Sequence, residues 1–287
     1  MRAPPRTDVR VARRRRLHHT RVTPRGPRQR VLGVDGGRSG IRLRHSLGDR
    51  IVEVEWVSHQ EGDTTAAVAD AVTSHAGALS LGWGASIVAG TGVACMAVPQ
   101  HGAPRIIGGH GYLLGDEGGG FWIGRQGLRA VLRAADGRGP DTSLAGPARR
   151  RFGPLTDLHV RLQAGDRPVD AIARFAPDVL EAAAAGDAAA TAIVDEASEE
   201  VLLVARAGAV WAGGEAFTVP LALGGRLLEL GTELRRRLLD RLTGSRLPVA
   251  PRSADASALD GAVQLGRAGD PGACGSLVHT WSEGGSA

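Results

Sequence analysis

Two acidic side chains, Asp116 and Glu117, lie in a glycine-rich segment, 108–126, whose second half has a helical pattern. Glycine lets the backbone approach a polar ligand closely, because no Cβ stands in the way. A carboxylate held in such a loop can accept hydrogen bonds from the hydroxyl groups of a ligand. This segment is therefore a candidate binding loop.

A first shorter glycine turn, Asp35-Gly36-Gly37, follows the strand pattern 30–34. Its backbone N–H groups can face a phosphate, with Asp35 holding Mg²⁺ through water and Ser39 supplying a hydroxyl donor. The alternative is an ordinary hairpin turn, because Asp-Gly is a frequent turn dipeptide. The residues alone leave both interpretations open.

A second turn, Gly90-Thr91-Gly92, lies between the strand patterns 85–89 and 93–98. Taken alone it predicts a tight hairpin. After an Asp-Gly-Gly unit, however, the two turns can clamp a polyphosphate between their N–H groups and the Thr91 hydroxyl. Neither is a Walker P-loop, because this chain has no lysine, and neither has the GxGxxG spacing of a dinucleotide site.

The surrounding patterns alternate strands with helices. Residues 30–57 predict a β-meander, and Asp63 precedes a helical pattern that a second one, 74–81, follows almost without a break. A strand pattern at 219–223 is followed directly by Gly224-Gly225. The other helical patterns span 121–135, 155–162, 170–175, 177–185, 187–209 and 226–242.

The composition is that of a globular protein. A chain of 287 residues is long enough for one large domain or two lobes, and with 3% aromatic residues its core must consist of Ala, Val, Leu and Ile. Cys95 and Cys274 are too few for a disulfide framework or a metal cluster, which fits a reducing cytosol. No apolar run approaches the ~20 residues that span a bilayer. We expect Cys95 and Trp122 to be core residues.

The basic residues concentrate at the beginning of the chain. Residues 1–30 contain eleven arginines, whereas the rest has a small excess of acidic residues. A disordered tail or a start codon placed too far upstream explains this segment simply. A nucleic-acid-binding arm is the alternative and ranks last, because no aromatic residues are interleaved for base stacking.

Five segments occur in an order that resembles one protein family. They are VLGVDGGRSG (31–40), DAVTSHAGAL (70–79), VAGTGVACMAV (88–98), the block 108–140 and LALGGRLLELG (221–231). Together they resemble the BadF/BadG/BcrA/BcrD-type ATPases, and within them the N-acetylglucosamine kinases of the actin/hexokinase/Hsp70 superfamily. The resemblance covers residues 30–268, and the block 108–140 is its most specific part.

The resemblance implies an α/β, two-lobed fold of the ribonuclease-H-like/actin type, with ATP in the cleft between the lobes. The short spacing from Asp35 to Asp70 implies an N-lobe shortened between residues 57 and 85. The expected divisions are an Arg/Pro-rich arm at 1–29, the shortened N-terminal lobe at 30–104, the C-terminal lobe at 105–268 and a flexible tail at 269–287.

The resemblance also assigns roles to residues. Asp70 falls where the family keeps its catalytic base, although an ordinary solvated helix aspartate is equally compatible with its position. Asp116 would bind the sugar. The phosphate and adenosine loops would be formed by Asp35, Gly36, Gly37, Ser39, Gly90, Thr91, Gly92, Gly224 and Gly225, with Asp35 at the metal, and the acyl-amino pocket would be bordered by Gly109, His110 and Gly111.

The implied activity is ATP- and Mg²⁺-dependent phosphorylation of N-acetylglucosamine or a related amino sugar at its primary hydroxyl, in the cytoplasm and without a membrane partner. A carboxylate can accept the proton of the attacking hydroxyl while the protein positions the phosphates. A non-catalytic relative that binds nucleotide or sugar is the first alternative. The oligomeric state stays open, with a homodimer as one candidate.

Overall fold

The structure, a computed structural model, describes residues 30–37, 40–47, 50–56, 64–213 and 217–267, and side chains within 71–213 and 217–265. The strands are β1 (Arg30–Gly37), β2 (Gly40–Leu47), β3 (Arg50–Trp56), β4 (Gly84–Ala89), β5 (Val93–Val98), β6 (Arg105–Gly108), β7 (Val219–Gly224) and β8 (Val249–Ser253). The helices are α1 (Thr64–Leu79), α2 (Gly120–Ala135), α3 (Ala145–Phe152), α4 (Leu158–Gln163), α5 (Pro168–Ala173), α6 (Ala176–Ala184), α7 (Ala188–Ala212), α8 (Glu233–Gly244) and α9 (Ala258–Arg267).

The first three strands form the predicted antiparallel meander, in the order β1-β2-β3. One detail of the prediction was wrong, because the strand does not end at Val34. Asp35 pairs with Arg42, and Gly37 pairs with Gly40, so the three residues expected as a turn lie in the ladder. The two-residue connection at 38–39 and its Ser39 lie outside the described residues.

The second sheet has five strands in the order β6-β5-β4-β7-β8. Strands β4, β5 and β6 are antiparallel neighbours, whereas β7 and β8 run parallel to β4. Helix α7 packs against β4 and β5, and α1 packs against β4, β5 and β7. The predicted α/β class is confirmed. The expected boundary at residue 104 falls between β5 and β6 of this sheet, and the division into lobes stays a prediction.

Small residues make the α7 side of this sheet compact. Cys95 on β5 is fully buried, and a Cβ on Gly208 of α7 would lie 2.5 Å from its Sγ atom. Burial raises the pKa of the Cys95 thiol to about 12, so it is an unreactive core residue as predicted. Trp122 is also buried, as predicted. Cys274 lies outside the described residues.

Two helix predictions differ from the structure. The two patterns predicted at 63–69 and 74–81 correspond to one continuous helix, α1 (Thr64–Leu79), because the residues between them include no helix breaker. The pattern 226–242 contains a 3₁₀ turn at Arg226–Leu228 and then α8. Gly231, with a φ of 86°, interrupts the run, and Thr232 begins α8 by accepting a hydrogen bond from the Arg235 N–H. Among the described residues, no helix combines the length and hydropathy of a membrane span.

A buried histidine attaches α1 to β4. The side chain of His75 is fully buried, with Nδ1 2.9 Å from the Ser86 hydroxyl and Nε2 2.9 Å from the Gly82 carbonyl oxygen. Because a carbonyl only accepts, Nε2 carries the proton and Nδ1 accepts from Ser86.

His75 predicts a pH-dependent stability. Burial lowers the pKa of His75 from its ordinary 6.5, and the hydrogen bond to Gly82 only partly opposes this shift. The unfolded chain therefore binds more protons below pH 6.5, so this stabilisation is complete above that pH and is lost as the pH falls toward the folded-state pKa. We expect the Tm to fall between about pH 7 and pH 5, and His75→Gln to flatten that fall.

The matched control is His101→Gln, because His101 is exposed. Thermal unfolding followed by circular dichroism at a series of pH values measures the effect. A pH dependence as steep in His75→Gln as in the unchanged protein would contradict the assignment.

Candidate active site

The candidate site lies along the side of the five-stranded sheet where its parallel strands end. The parallel strands β4, β7 and β8 end there, at Ala89, Gly224 and Ser253. In open α/β sheets, ligands bind in the crevice outside the carboxyl ends of parallel strands. The second glycine turn and the Gly224-Gly225 pair both leave the sheet at this edge.

The Gly90–Gly92 turn is the predicted hairpin between β4 and β5. The Gly90 N–H donates to the Gly92 carbonyl at 2.9 Å, which closes the turn. A Cβ built on Gly90 meets no atom within 4 Å, so this position faces open space. Gly90 is therefore a glycine that the packing of the chain does not itself require.

The start of α2 docks on this hairpin through its backbone. The N–H groups of Gly120 and Phe121 donate to the carbonyl oxygens of Gly90 and Thr91, at 2.8 and 2.9 Å. A Cβ on Gly119 would lie 2.8 Å from the Cα of Gly92. These first N–H groups of the helix are thus used to bind the hairpin rather than a ligand.

The side chain of Asp116 connects the loop before α2 to the Gly90–Gly92 hairpin. It is 5% exposed, adopts a left-handed φ of 64°, and its Oδ1 lies 3.4 Å from the Val93 N–H, which donates to it. A Cβ on Gly92 would lie 2.5 Å from the Asp116 carboxyl carbon. Glycine at position 92 is therefore required by Asp116, which the sequence pattern alone had not indicated.

The Gly224-Gly225 pair completes the cluster. Gly224 lies beside Val88 in the parallel ladder between β4 and β7. Gly225 has a φ of 83°, and a Cβ on it would lie 2.7 Å from the carbonyl carbon of Ala89. The Gly224-Gly225 pair and the start of the Gly90–Gly92 hairpin therefore meet backbone to backbone.

The segment expected to border the acyl-amino pocket begins at the same place. The Gly109 N–H donates to the Val93 carbonyl at 2.9 Å, and His110 is exposed. Gly109 and Gly111 have φ angles of 70° and 85°. Tyr112 packs edge-on against Phe121, with ring centroids 5.1 Å apart, which fixes this loop over the start of α2.

The structure thus brings three of the predicted groups together: the Gly90–Gly92 hairpin, the loop 112–119 that contains Asp116 (the Asp116 loop) with its neighbouring 109–111 turn, and the Gly224-Gly225 pair. Asp35, Gly36 and Gly37 lie in β1, and Asp70 lies in α1, with side chains outside the described part of the chain. Within the described residues, no group of three metal-ligating side chains occurs. The role of Asp35 at a metal stays a prediction.

The many glycines of the segment 108–126 are also required by contacts within the protein itself. A Cβ on Gly118 would lie 2.7 Å from the Ala197 carbonyl oxygen of α7, and one on Gly120 would lie 2.9 Å from that of Gly90. Sequence reasoning assigned these glycines to ligand approach. The structure shows that several of them are needed for the loop to pack against its own protein.

Comparison with curated proteins finds two short alignments. The chain is 37% identical over 79 residues to the N-acetylmuramic acid/N-acetylglucosamine kinase of Clostridium acetobutylicum, and 45% identical over 62 residues to the N-acetyl-D-glucosamine kinase of Dictyostelium discoideum. The alignments cover 28% and 22% of this chain, and 26% and 19% of those relatives. The chain thus matches about a quarter or less of each curated relative.

Solved structures match over a longer span. A candidate N-acetylglucosamine kinase from Chromobacterium violaceum has a TM-score of 0.65 at 24% identity, over 82% of this chain and 98% of that one. Another, from Porphyromonas gingivalis, has a TM-score of 0.62 at 15% identity, over 82% and 97%. This likeness confirms the ribonuclease-H-like/actin-type fold.

A model of the BadF/BadG/BcrA/BcrD ATPase family matches residues 41–221, more than half of the chain. The matched range includes α1, the Gly90–Gly92 hairpin, the Asp116 loop and the first half of β7. The chain therefore belongs to the BadF/BadG/BcrA/BcrD ATPase family.

Proposed function

We propose that this protein binds Mg²⁺·ATP and transfers the γ-phosphoryl group to the primary hydroxyl of N-acetylglucosamine or a related amino sugar. One observation carries the proposal: the Gly90–Gly92 hairpin, the Asp116 loop and Gly225 converge at the carboxyl ends of β4 and β7. The names of the two curated relatives support an amino sugar as the acceptor.

The phosphate side of the proposed site is built around Gly90. The open position beside Gly90 is a place where a ligand can approach the backbone without meeting a side chain. Thr91 adds a hydroxyl, Gly224 and Gly225 would lie beside the adenosine, and Asp35 to Ser39 would form the opposite loop. When bound, Mg²⁺ neutralises the charge that develops on the phosphates, and Asp35 is the residue proposed to hold it.

The sugar side of the proposed site uses Gly109, His110, Gly111 and Asp116, with Asp70 as the base. Asp116 is packed against Gly92, so the same carboxylate that would recognise the sugar also fixes the phosphate hairpin. Such a connection makes the alignment of acceptor and donor a property of one rigid unit. Positioning of this kind is a main contribution of proteins to phosphoryl transfer.

Gly90→Ala tests the phosphate side without disturbing the fold. Because its Cβ would enter open space, we expect an unchanged Tm and a Kd for ATP that rises about tenfold, as the methyl group keeps the phosphates from the N–H donors. Gly244→Ala at the end of α8 is the matched control, since its Cβ also meets nothing within 4 Å. Titration calorimetry measures the Kd for ATP of both variants. Equal affinities in the two variants would count against phosphate binding at Gly90.

A coupled assay of ADP release with a panel of hexosamines tests the reaction itself. We expect sugar-dependent ADP release, highest with an N-acetylated hexosamine. Folded protein that binds ATP and sugar in calorimetry but releases no ADP would identify a non-catalytic relative. Folded protein that binds neither would overturn the proposal.

A further inference from the structure

Arg235 on α8 is a buried cation close to the candidate site. It is 8% exposed, although arginine is almost never buried without a partner. Its Nη1 donates to the Leu228 carbonyl oxygen at 2.7 Å, and its Nη2 donates to the Ser253 hydroxyl at 3.2 Å. Both acceptors are neutral.

The neighbouring arginine on the same helix shows the contrast. Arg237 forms ion pairs with Glu233, at 2.8 Å, and with Asp195 of α7. For Arg235, no carboxylate in the described part of the chain lies within ion-pair distance. A charge buried against neutral acceptors is costly, so its position calls for a specific role.

The contacts of Arg235 lead to the glycine pair in two steps. The Leu228 N–H donates to the Gly225 carbonyl at 2.9 Å, which closes the turn that follows Gly225. The Leu228 carbonyl then accepts from Arg235. Gly225 itself lies against Ala89, where the phosphate hairpin begins. Since Ser253 is the last residue of β8, Arg235 joins this turn to the neighbouring strand end.

We infer that Arg235 is a positioning residue for the nucleotide side of the site: it holds the Gly225–Leu228 turn in the conformation that receives ATP. This inference deepens the proposed function and depends on it for the identity of the ligand. The guanidinium also adds positive potential at the edge where phosphates would lie, because no described carboxylate neutralises it. Lysine cannot reproduce this geometry, since a guanidinium presents two donors in a fixed fork and an ammonium is a point charge.

The first measurement needs no ligand. Hydrogen–deuterium exchange of the 225–230 segment is compared among the unchanged protein, Arg235→Gln, Arg235→Lys and the control Arg237→Gln. We expect exchange in this segment to become about tenfold faster in Arg235→Gln, less so in Arg235→Lys, and to stay unchanged in Arg237→Gln, because only Arg235 holds the turn. Unchanged exchange in a folded Arg235→Gln variant would overturn the inference whatever the protein binds.

The second measurement uses ATP and N-acetylglucosamine. We expect Arg235→Gln to raise the Kd and the KM for ATP about tenfold, with the KM for the sugar within about twofold and partial recovery in Arg235→Lys. Equal losses for both substrates would show a merely structural role and overturn the inference. Absence of ATP binding by the unchanged protein would instead refute the proposed function, and the exchange measurement would still decide whether Arg235 holds the turn.

Discussion

Replacing Asp70 by Asn is expected to lower kcat for sugar phosphorylation by about 10²–10⁴-fold, the usual contribution of a positioned general base. Asparagine has nearly the same shape as aspartate but cannot accept the proton of the attacking hydroxyl. Asp70 belongs to α1, which packs against β4, the strand that leads into the Gly90–Gly92 hairpin. We therefore expect the Kd values for ATP and for the sugar to stay within about twofold.

Asp157→Asn is the matched control for this experiment. Asp157 is exposed, precedes α4, and makes no side-chain capping hydrogen bond, so its replacement is expected to leave kcat unchanged. Steady-state assays of ADP release, with both substrates varied, give kcat and KM separately. Full turnover by Asp70→Asn would show that another group takes the proton, or that no base is needed.

Gly225→Ala is expected to lower the free energy of unfolding by about 2–4 kcal/mol and to abolish measurable ATP binding, because of backbone strain and overpacking together. The φ of 83° is one that alanine rarely adopts, and the added methyl group would lie 2.7 Å from the Ala89 carbonyl carbon. Backbone atoms of a central strand cannot move aside as a flexible side chain can.

The adjacent residue provides the control. A Cβ on Gly224 would meet its nearest atom, the Ile87 carbonyl oxygen, at 3.6 Å, which is an ordinary contact. We expect the free energy of unfolding of Gly224→Ala to lie within about 0.5 kcal/mol of that of the unchanged protein. Urea unfolding and ATP titration of both variants measure the difference. Similar stabilities for the two variants would mean that the Gly225 turn relaxes freely and does not fix the hairpin.

The sequence predicted most of the individual strands and the longer helices, because these depend on the local pattern of apolar and polar residues. Alternating and apolar runs indicated β1 to β5 and β7, and helical spacing indicated α2 and α7, whose bounds agree within a few residues. The Gly90–Gly92 hairpin was predicted because a glycine turn between two apolar runs has few other solutions. The candidate site could be located for the same reason, since its loops follow strands.

Contacts between distant segments could not be predicted in this way. Nothing near His75 in the sequence points to Ser86 as its partner, and nothing near Arg235 points to Ser253. The turn expected at Asp35–Gly37 became part of a strand because the ladder with β2 continues through it. Helix α3 has no counterpart among the predicted helical patterns, because the Gly- and Pro-rich composition of residues 136–154 is typical of a loop.

The glycines that pack in and against the Asp116 loop have a consequence for how relatives of this protein evolve. Because Gly92, Gly118 and Gly119 are held by contacts within the chain, natural selection for a folded protein alone would preserve them. A relative without catalytic activity would keep this signature for as long as it stayed folded. In genomes, the signature therefore marks inheritance of the scaffold, whereas the proposed catalysis would have to be recognised from Asp70 and from positions such as Gly90 that packing leaves free to change.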